Sequence, residues 1–213
     1  MVILGVNVAV FLLQVALGGS GDLRVLVRMG AMVPGLVAEG EYWRLVTAMF
    51  LHVGIRHIAF NSLALLIFGS LVEESLGRGR LVAVYLVTGF CANAVSFAFG
   101  DPVRVAAGAS GAVFGLLGAW LVYNLRRRSL GLARANVQVG LLLVGLNLAF
   151  GFAFPGIDNL AHLGGLGAGL LAGLVAEGVW GRAMRTPSTV VGFAIILMIG
   201  VALAAWRTAA LAG

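Results

Sequence analysis

One serine and two histidines in this chain have settings that could support covalent chemistry. Ser110 sits in Gly108-Ala109-Ser110-Gly111, and His162 in Asn159-Leu160-Ala161-His162-Leu163-Gly164-Gly165. His57 is followed four residues later by Asn61, so the two share one helical face. A serine, a histidine and nearby hydrogen-bond donors are the parts acyl transfer requires. They supply a nucleophile, a base for its proton, and an oxyanion hole. The only carboxylate near His162 is Asp158, four residues earlier, so a Ser–His dyad is favoured over a triad. This chemistry calls for no metal and no cofactor.

These residues lie in an unusually apolar chain. Of 213 residues, 61% are hydrophobic and 10% charged, and the mean hydropathy is +1.06. A soluble domain carries about 25% charged residues. A soluble enzyme, a nucleic-acid module and a disordered chain are therefore excluded. Seven apolar runs, roughly 1–17, 57–73, 81–99, 107–125, 136–153, 159–179 and 189–206, approach the ~17–25 residues a bilayer-crossing helix needs. The prolines Pro34, Pro102, Pro155 and Pro187 fall between the runs. The 32 glycines suit helices that pack closely in lipid, where no hydrophobic drive brings helices together. The expected fold is an all-α polytopic membrane protein. Met1 leads straight into Val-Ile-Leu-Gly-Val with no basic region before it, so the first run is expected to be a span and not a signal peptide. Cys91, the single cysteine, lies inside a run and is expected to pack as a small apolar residue.

Topology follows from the arginines, which account for the whole net charge of +6. The connections after runs two, four and six carry Arg78 and Arg80; Arg126, Arg127, Arg128 and Arg134; and Arg182 and Arg185. The short connections on the other side and the tail carry only Arg104 and Arg207. The positive-inside rule then makes the N-terminus cytoplasmic, with the long 18–56 loop and the C-terminus outside. Even-numbered runs descend from outside to inside, which places Ser110, His57 and His162 at the outer ends of parallel helices. Ser110 precedes Arg126 by 16 residues, so it lies ~24 Å above the inner interface and ~6 Å below the outer face of a ~30 Å core. The surrounding glycines would permit local unwinding around a wet cavity at that depth. Glu73 and Glu74 beside Arg78 and Arg80, and Glu177 beside Arg182, read as interfacial charge pairs.

Each element also has a plainer explanation. Gly111 with Gly115, and Gly165 with Gly169 and Gly173, have the spacing of small-residue helix packing. His162 alone could be a satisfied interhelical histidine, and His57 with Asn61 could snorkel to the interface. Their coincidence at one depth on three parallel helices favours the chemical reading.

At these residues the chain resembles the rhomboid family of intramembrane serine proteases, from about Asn7 to Glu177. Glu41-Tyr42-Trp43-Arg44 is similar to the family's Trp-Arg motif in the first outer loop. Leu51-His52 followed by His57-Ile58-Ala59-Phe60-Asn61 resembles its His-x-x-x-Asn element. Gly108-Ala109-Ser110-Gly111 resembles Gly-x-Ser-Gly, and Ala161-His162-Leu163-Gly164-Gly165 the segment of the catalytic histidine. The resemblance implies a six-helix core over 1–180, with 181–213 adding a cytoplasmic connector and an extra C-terminal helix. It implies Ser110 as nucleophile and His162 as base, with His57, Asn61 and the Ser110 N–H as the oxyanion hole. Trp43, Arg44, His52, Gly108, Gly111, Gly165 and Gly169 would be supporting residues.

One departure is Phe114, which stands where bacterial members often have a tyrosine against the catalytic histidine. The other is the seventh run. The activity implied is cleavage of transmembrane protein substrates near the extracytoplasmic face of the cell (inner) membrane, in contact with lipid and with no nucleic acid involved. A silent rhomboid-like client binder is the alternative, disfavoured by the presence of both Ser110 and His162. A solute transporter is disfavoured by the lack of paired halves and of an intramembrane acid.

Overall fold

The structure, a computed structural model, describes residues 2–154, 156–177 and 186–212. The described residues are helical apart from turns, loops and a single isolated bridge between Met32 and Ala106. All seven apolar runs form helices: α1 (Val2–Ala16), α5 (Gly54–Leu76), α6 (Arg78–Phe99), α7 (Ser110–Leu125), α8 (Gly131–Ala153), α9 (Asn159–Glu177) and α10 (Thr186–Ala212). Between α1 and α5 the long loop folds into three short helices, α2 (Leu23–Arg28), α3 (Pro34–Ala38) and α4 (Arg44–Thr47), and a 3-10 turn Ala48–Phe50. Helices α5, α6, α8, α9 and the Pro187–Ala212 part of α10 are long and apolar enough to cross a membrane. The chain is a multi-pass membrane protein. The connector holding Arg182 and Arg185 lies outside the described residues.

Helix α7, at 16 residues, is shorter than its neighbours and sits at the centre of the bundle. Every residue from Gly111 to Val122 is buried. Helix α5 buries a single stripe of Ile58, Asn61, Leu65, Gly69, Val72 and Leu76, at the three- and four-residue spacing of one helical face. Helix α8 buries only Ala133 and Gly140, so nearly all of its surface is left to lipid.

The closest approach in the bundle is between α7 and α9. A Cβ on Gly165 would land on the carbonyl oxygen of Gly111, and one on Gly169 on that of Gly115. These glycines let the two backbones touch, which larger residues would prevent. Helix α10 lies against α6, where Gly200 meets Phe90 and Cys91, and the buried Cys91 thiol donates to the Ile196 carbonyl at 3.4 Å. At the ends opposite Ser110, Arg78 pairs with Glu73 at 2.6 Å. Glu177 meets Arg127 at 2.5 Å, because packing brings the end of α7 beside the end of α9; its expected partner Arg182 lies outside the described residues.

Candidate active site

The loop before α7 determines where that helix begins. The apolar run starts near residue 107, yet the helix starts at Ser110. Gly108 takes φ +149°, a conformation L side chains avoid, and its N–H donates to the Ala48 carbonyl at 2.9 Å. The chain is thereby turned so that Ser110 occupies the first helical position, and its N–H has no acceptor within its own helix. Such an N–H, with the positive end of the helix dipole behind it, is suited to meet developing negative charge.

Because α9 is pressed onto α7, His162 reaches Ser110 across 52 residues of sequence, with Nε2 and Oγ 3.0 Å apart. Phe114, one turn along α7, stacks on the His162 ring with centroids 4.3 Å apart and planes 11° from parallel. The imidazole is thus fixed on one face by a ring and at one edge by the hydroxyl. Nδ1 of His162 finds no acceptor among the described residues. The nearby Asp158 carboxylate is turned elsewhere: it accepts from Ser96 Oγ at 2.5 Å and from the Ala161 N–H at 3.0 Å, capping α9. Arg104 approaches the same carboxylate at 3.8 Å. Among the described residues, the serine–histidine pair has no third, orienting acid.

His57 lies across Gly108 from this pair. A Cβ on Gly108 would stand 2.9 Å from His57 Nε2 and 3.8 Å from Ser110 Oγ, so both atoms face the same side of that glycine. The Val53 N–H donates to His57 Nδ1 at 3.2 Å. A neutral ring that accepts at Nδ1 carries its proton on Nε2, the nitrogen facing Gly108. Asn61 is buried, and its amide donates to the His57 carbonyl at 2.9 Å, leaving its second N–H for another acceptor.

The other expected residues lie behind this centre. Arg44 is buried, donating to the carbonyls of Val27 at 2.7 Å and Ala31 at 3.0 Å and to Glu41 at 2.6 Å. Its guanidinium lies 4.6 Å from the centre of the Trp43 ring. Arg44 ties α2 to α4, and the Met32–Ala106 bridge and the Gly108–Ala48 hydrogen bond carry that support to the start of α7. His52, fully buried, places its ring edge-on to His57 at 5.4 Å. His52 precedes α5, and burial pushes its imidazole down to about 4, so it is neutral at ordinary pH.

Sequence reasoning missed two buried amides. Gln14 in α1 bonds the backbone of His52, and Asn93 in α6 donates to the Leu45 carbonyl at 2.8 Å. Their one sequence signal was a strongly polar residue inside an apolar run. Among the described residues no group of three His, Cys, Asp or Glu side chains is placed to hold a metal ion.

Residues 39–178 match the rhomboid domain family. The chain is 40% identical over 189 residues to the Rhomboid protease GluP of Bacillus subtilis, an alignment covering 87% of this chain and 36% of that protein. It is 37% identical over 163 residues to RHOMBOID-like protein 5 of Arabidopsis thaliana, covering 72% and 50%. To the Putative rhomboid protease YdcA of Bacillus subtilis it is 36% identical over 135 residues, covering 63% and 67%. The chain thus spans between a third and a half of the length of the first two relatives.

Proposed function

The chain belongs to the rhomboid family, and from that premise we propose that it is an intramembrane serine endopeptidase. It would cut transmembrane proteins near the extracytoplasmic end of their spans. The observation that carries this reading is the 3.0 Å approach of His162 Nε2 to Ser110 Oγ at the half-buried start of α7. A hydroxyl is a weak nucleophile until a base takes its proton, and this distance is within reach of that transfer.

In this mechanism Ser110 Oγ attacks the substrate carbonyl carbon while His162 Nε2 accepts the hydroxyl proton. The carbonyl π electrons move to oxygen, and the Ser110 N–H, the His57 Nε2–H and the free Asn61 N–H stabilise the oxyanion. Collapse breaks the C–N bond, and His162 passes its proton to the leaving amine. Water, activated by the same imidazole, then hydrolyses the acyl-serine. The Phe114 stack and the Ser110 hydroxyl hold the imidazole in place, so a dyad suffices.

The arginine distribution supports a cytoplasmic N-terminus, an extracytoplasmic C-terminus and a site opening to the extracytoplasmic side. Residues 1–180 form the catalytic core in this reading, and 181–213 add the connector and seventh helix. The direct test is labelling of the purified full chain by a serine-directed fluorophosphonate. Wild type labels and Ser110→Ala does not. Equal labelling of both, or none of wild type, overturns the proposal and favours a silent client binder.

A further inference from the structure

Helix α1 contributes none of the groups that the proposed mechanism uses, yet its inward face is mostly polar. Its buried residues are Asn7, Phe11 and Gln14, along one stripe. A polar side chain turned inward from a membrane helix costs free energy unless it is paired. Gln14, with no exposed surface, is paired at both ends of its amide. Oε1 accepts from the His52 backbone N–H at 3.1 Å, and Nε2 donates to the His52 carbonyl at 3.1 Å. Two bonds from one planar amide to both polar groups of a single residue hold that stretch of backbone in position and orientation, as a neighbouring strand would.

Two features of His57 depend on the segment held in this way. The Val53 N–H, on the peptide following His52, sets the His57 tautomer through the 3.2 Å bond to Nδ1. The His52 ring, edge-on at 5.4 Å, limits the tilt of the His57 ring. A Cβ on Gly108 would crowd the Nε2 face of that ring, so small rotations of His57 are felt at Ser110. We propose that Gln14 is a positioning residue for the oxyanion hole, aiming His57 Nε2–H at the reacting carbonyl by clamping the His52 backbone. This rests on the reading of Ser110 as a nucleophile with His57 beside it as a donor. It assigns α1 a part in turnover as well as in anchoring.

The experiment measures the rate at which a fluorophosphonate labels Ser110 in the detergent-solubilised full chain, since the probe's phosphoryl oxygen occupies the oxyanion hole. Gln14→Met keeps the volume and removes both hydrogen bonds. It should slow labelling about ten- to a hundredfold. Gln14→Glu, neutral when buried, restores a donor and an acceptor and should label within about threefold of wild type. In a His57→Ala background, Gln14→Met should cost less than about twofold more, because the group it aims is gone.

Wild-type labelling by Gln14→Met, or an equal loss with and without His57, overturns the inference and leaves Gln14 a packing residue. Should Gln14→Met fail to fold, the same cycle with Gln14→Asn, whose amide is one methylene too short to reach both backbone groups of His52, and His57→Ala decides: independent losses overturn the inference, and non-additive losses support it. Absence of Ser110-dependent labelling in wild type is a failure of the protease reading itself, and the Ser110→Ala control identifies it.

Discussion

Ser110 and His162 meet at 3.0 Å because Gly165, three residues past the histidine, rests against the backbone carbonyl of Gly111. Gly165→Ala puts a methyl group where that oxygen stands, and neither backbone can yield cheaply. The helices must separate or shear, at about 1–3 kcal/mol of stability by the usual scale of overpacking. The histidine moves with its helix, so proteolysis should fall at least about tenfold. Gly167→Ala is the control, because a Cβ there meets open space. Comparable loss in the two variants, measured by thermal melting and cleavage rate, would show that the glycine seam does not set the distance.

His162→Ala should reduce cleavage nearly as far as Ser110→Ala, because among the described residues no other base is hydrogen-bonded to the hydroxyl. The working form is the neutral imidazole. Activity is therefore present above the pKa of His162 in the folded chain and lost as pH falls through it. An activity profile that is flat or rises toward acid would argue against a neutral histidine base.

The seven helices were legible in the sequence because spanning lipid demands long apolar runs, and seven such runs are present. The grouping of Ser110, His57 and His162 was legible because parallel helices place equivalent ends together. The start of α7 was not legible, since the three-residue difference from the apolar run depends on Gly108 and on its bond to Ala48. The Arg127–Glu177 pair was not legible either, since it spans 50 residues and depends on α7–α9 packing. The Gln14–His52 clamp spans 38 residues and depends on the rotation of α1, which hydropathy does not encode.

Arg44 holds the loop that braces the site. Arg44→Leu leaves the Val27 and Ala31 carbonyls without their donor and should cost about 1–3 kcal/mol. Arg44→Lys should recover little, because an ammonium cannot reproduce a planar fork that reaches two carbonyls and Glu41 together. Melting of the three proteins in one detergent checks this; full recovery by lysine would reduce the role of Arg44 to its charge.

His52 should make the fold acid-sensitive. Its imidazole, at about 4 in the folded chain, stays neutral where an unfolded one near its ordinary 6.5 takes up a proton. The unfolded state binds more protons in that window, so stability falls as pH drops from 6.5 toward 4, by up to about 1.4 kcal/mol per pH unit for this group. His52→Phe removes the contribution, and its stability should decline less steeply between pH 7 and pH 5. Parallel slopes for the two proteins would contradict the burial argument.

The client helix should be cut where it can leave its helical form. A helical peptide bond is wrapped by its own hydrogen bonds and side chains, so Ser110 cannot reach the carbonyl in line. Unwinding in lipid exposes N–H and C=O groups at several kcal/mol each. A glycine or proline in the client lowers that cost. The start of α7 at Ser110 sets that residue ~24 Å from Arg126 along the helix axis, which in the proposed orientation is ~6 Å below the outer face of a ~30 Å core. Cleavage products mapped by mass spectrometry should therefore end at or just outside the client's apolar boundary. Cuts at the midplane or the cytoplasmic end would contradict both depth and topology. Replacing the client's glycine or proline residues with leucine should slow cleavage at unchanged site choice, and an unchanged rate would leave depth as the sole determinant of where the chain is cut.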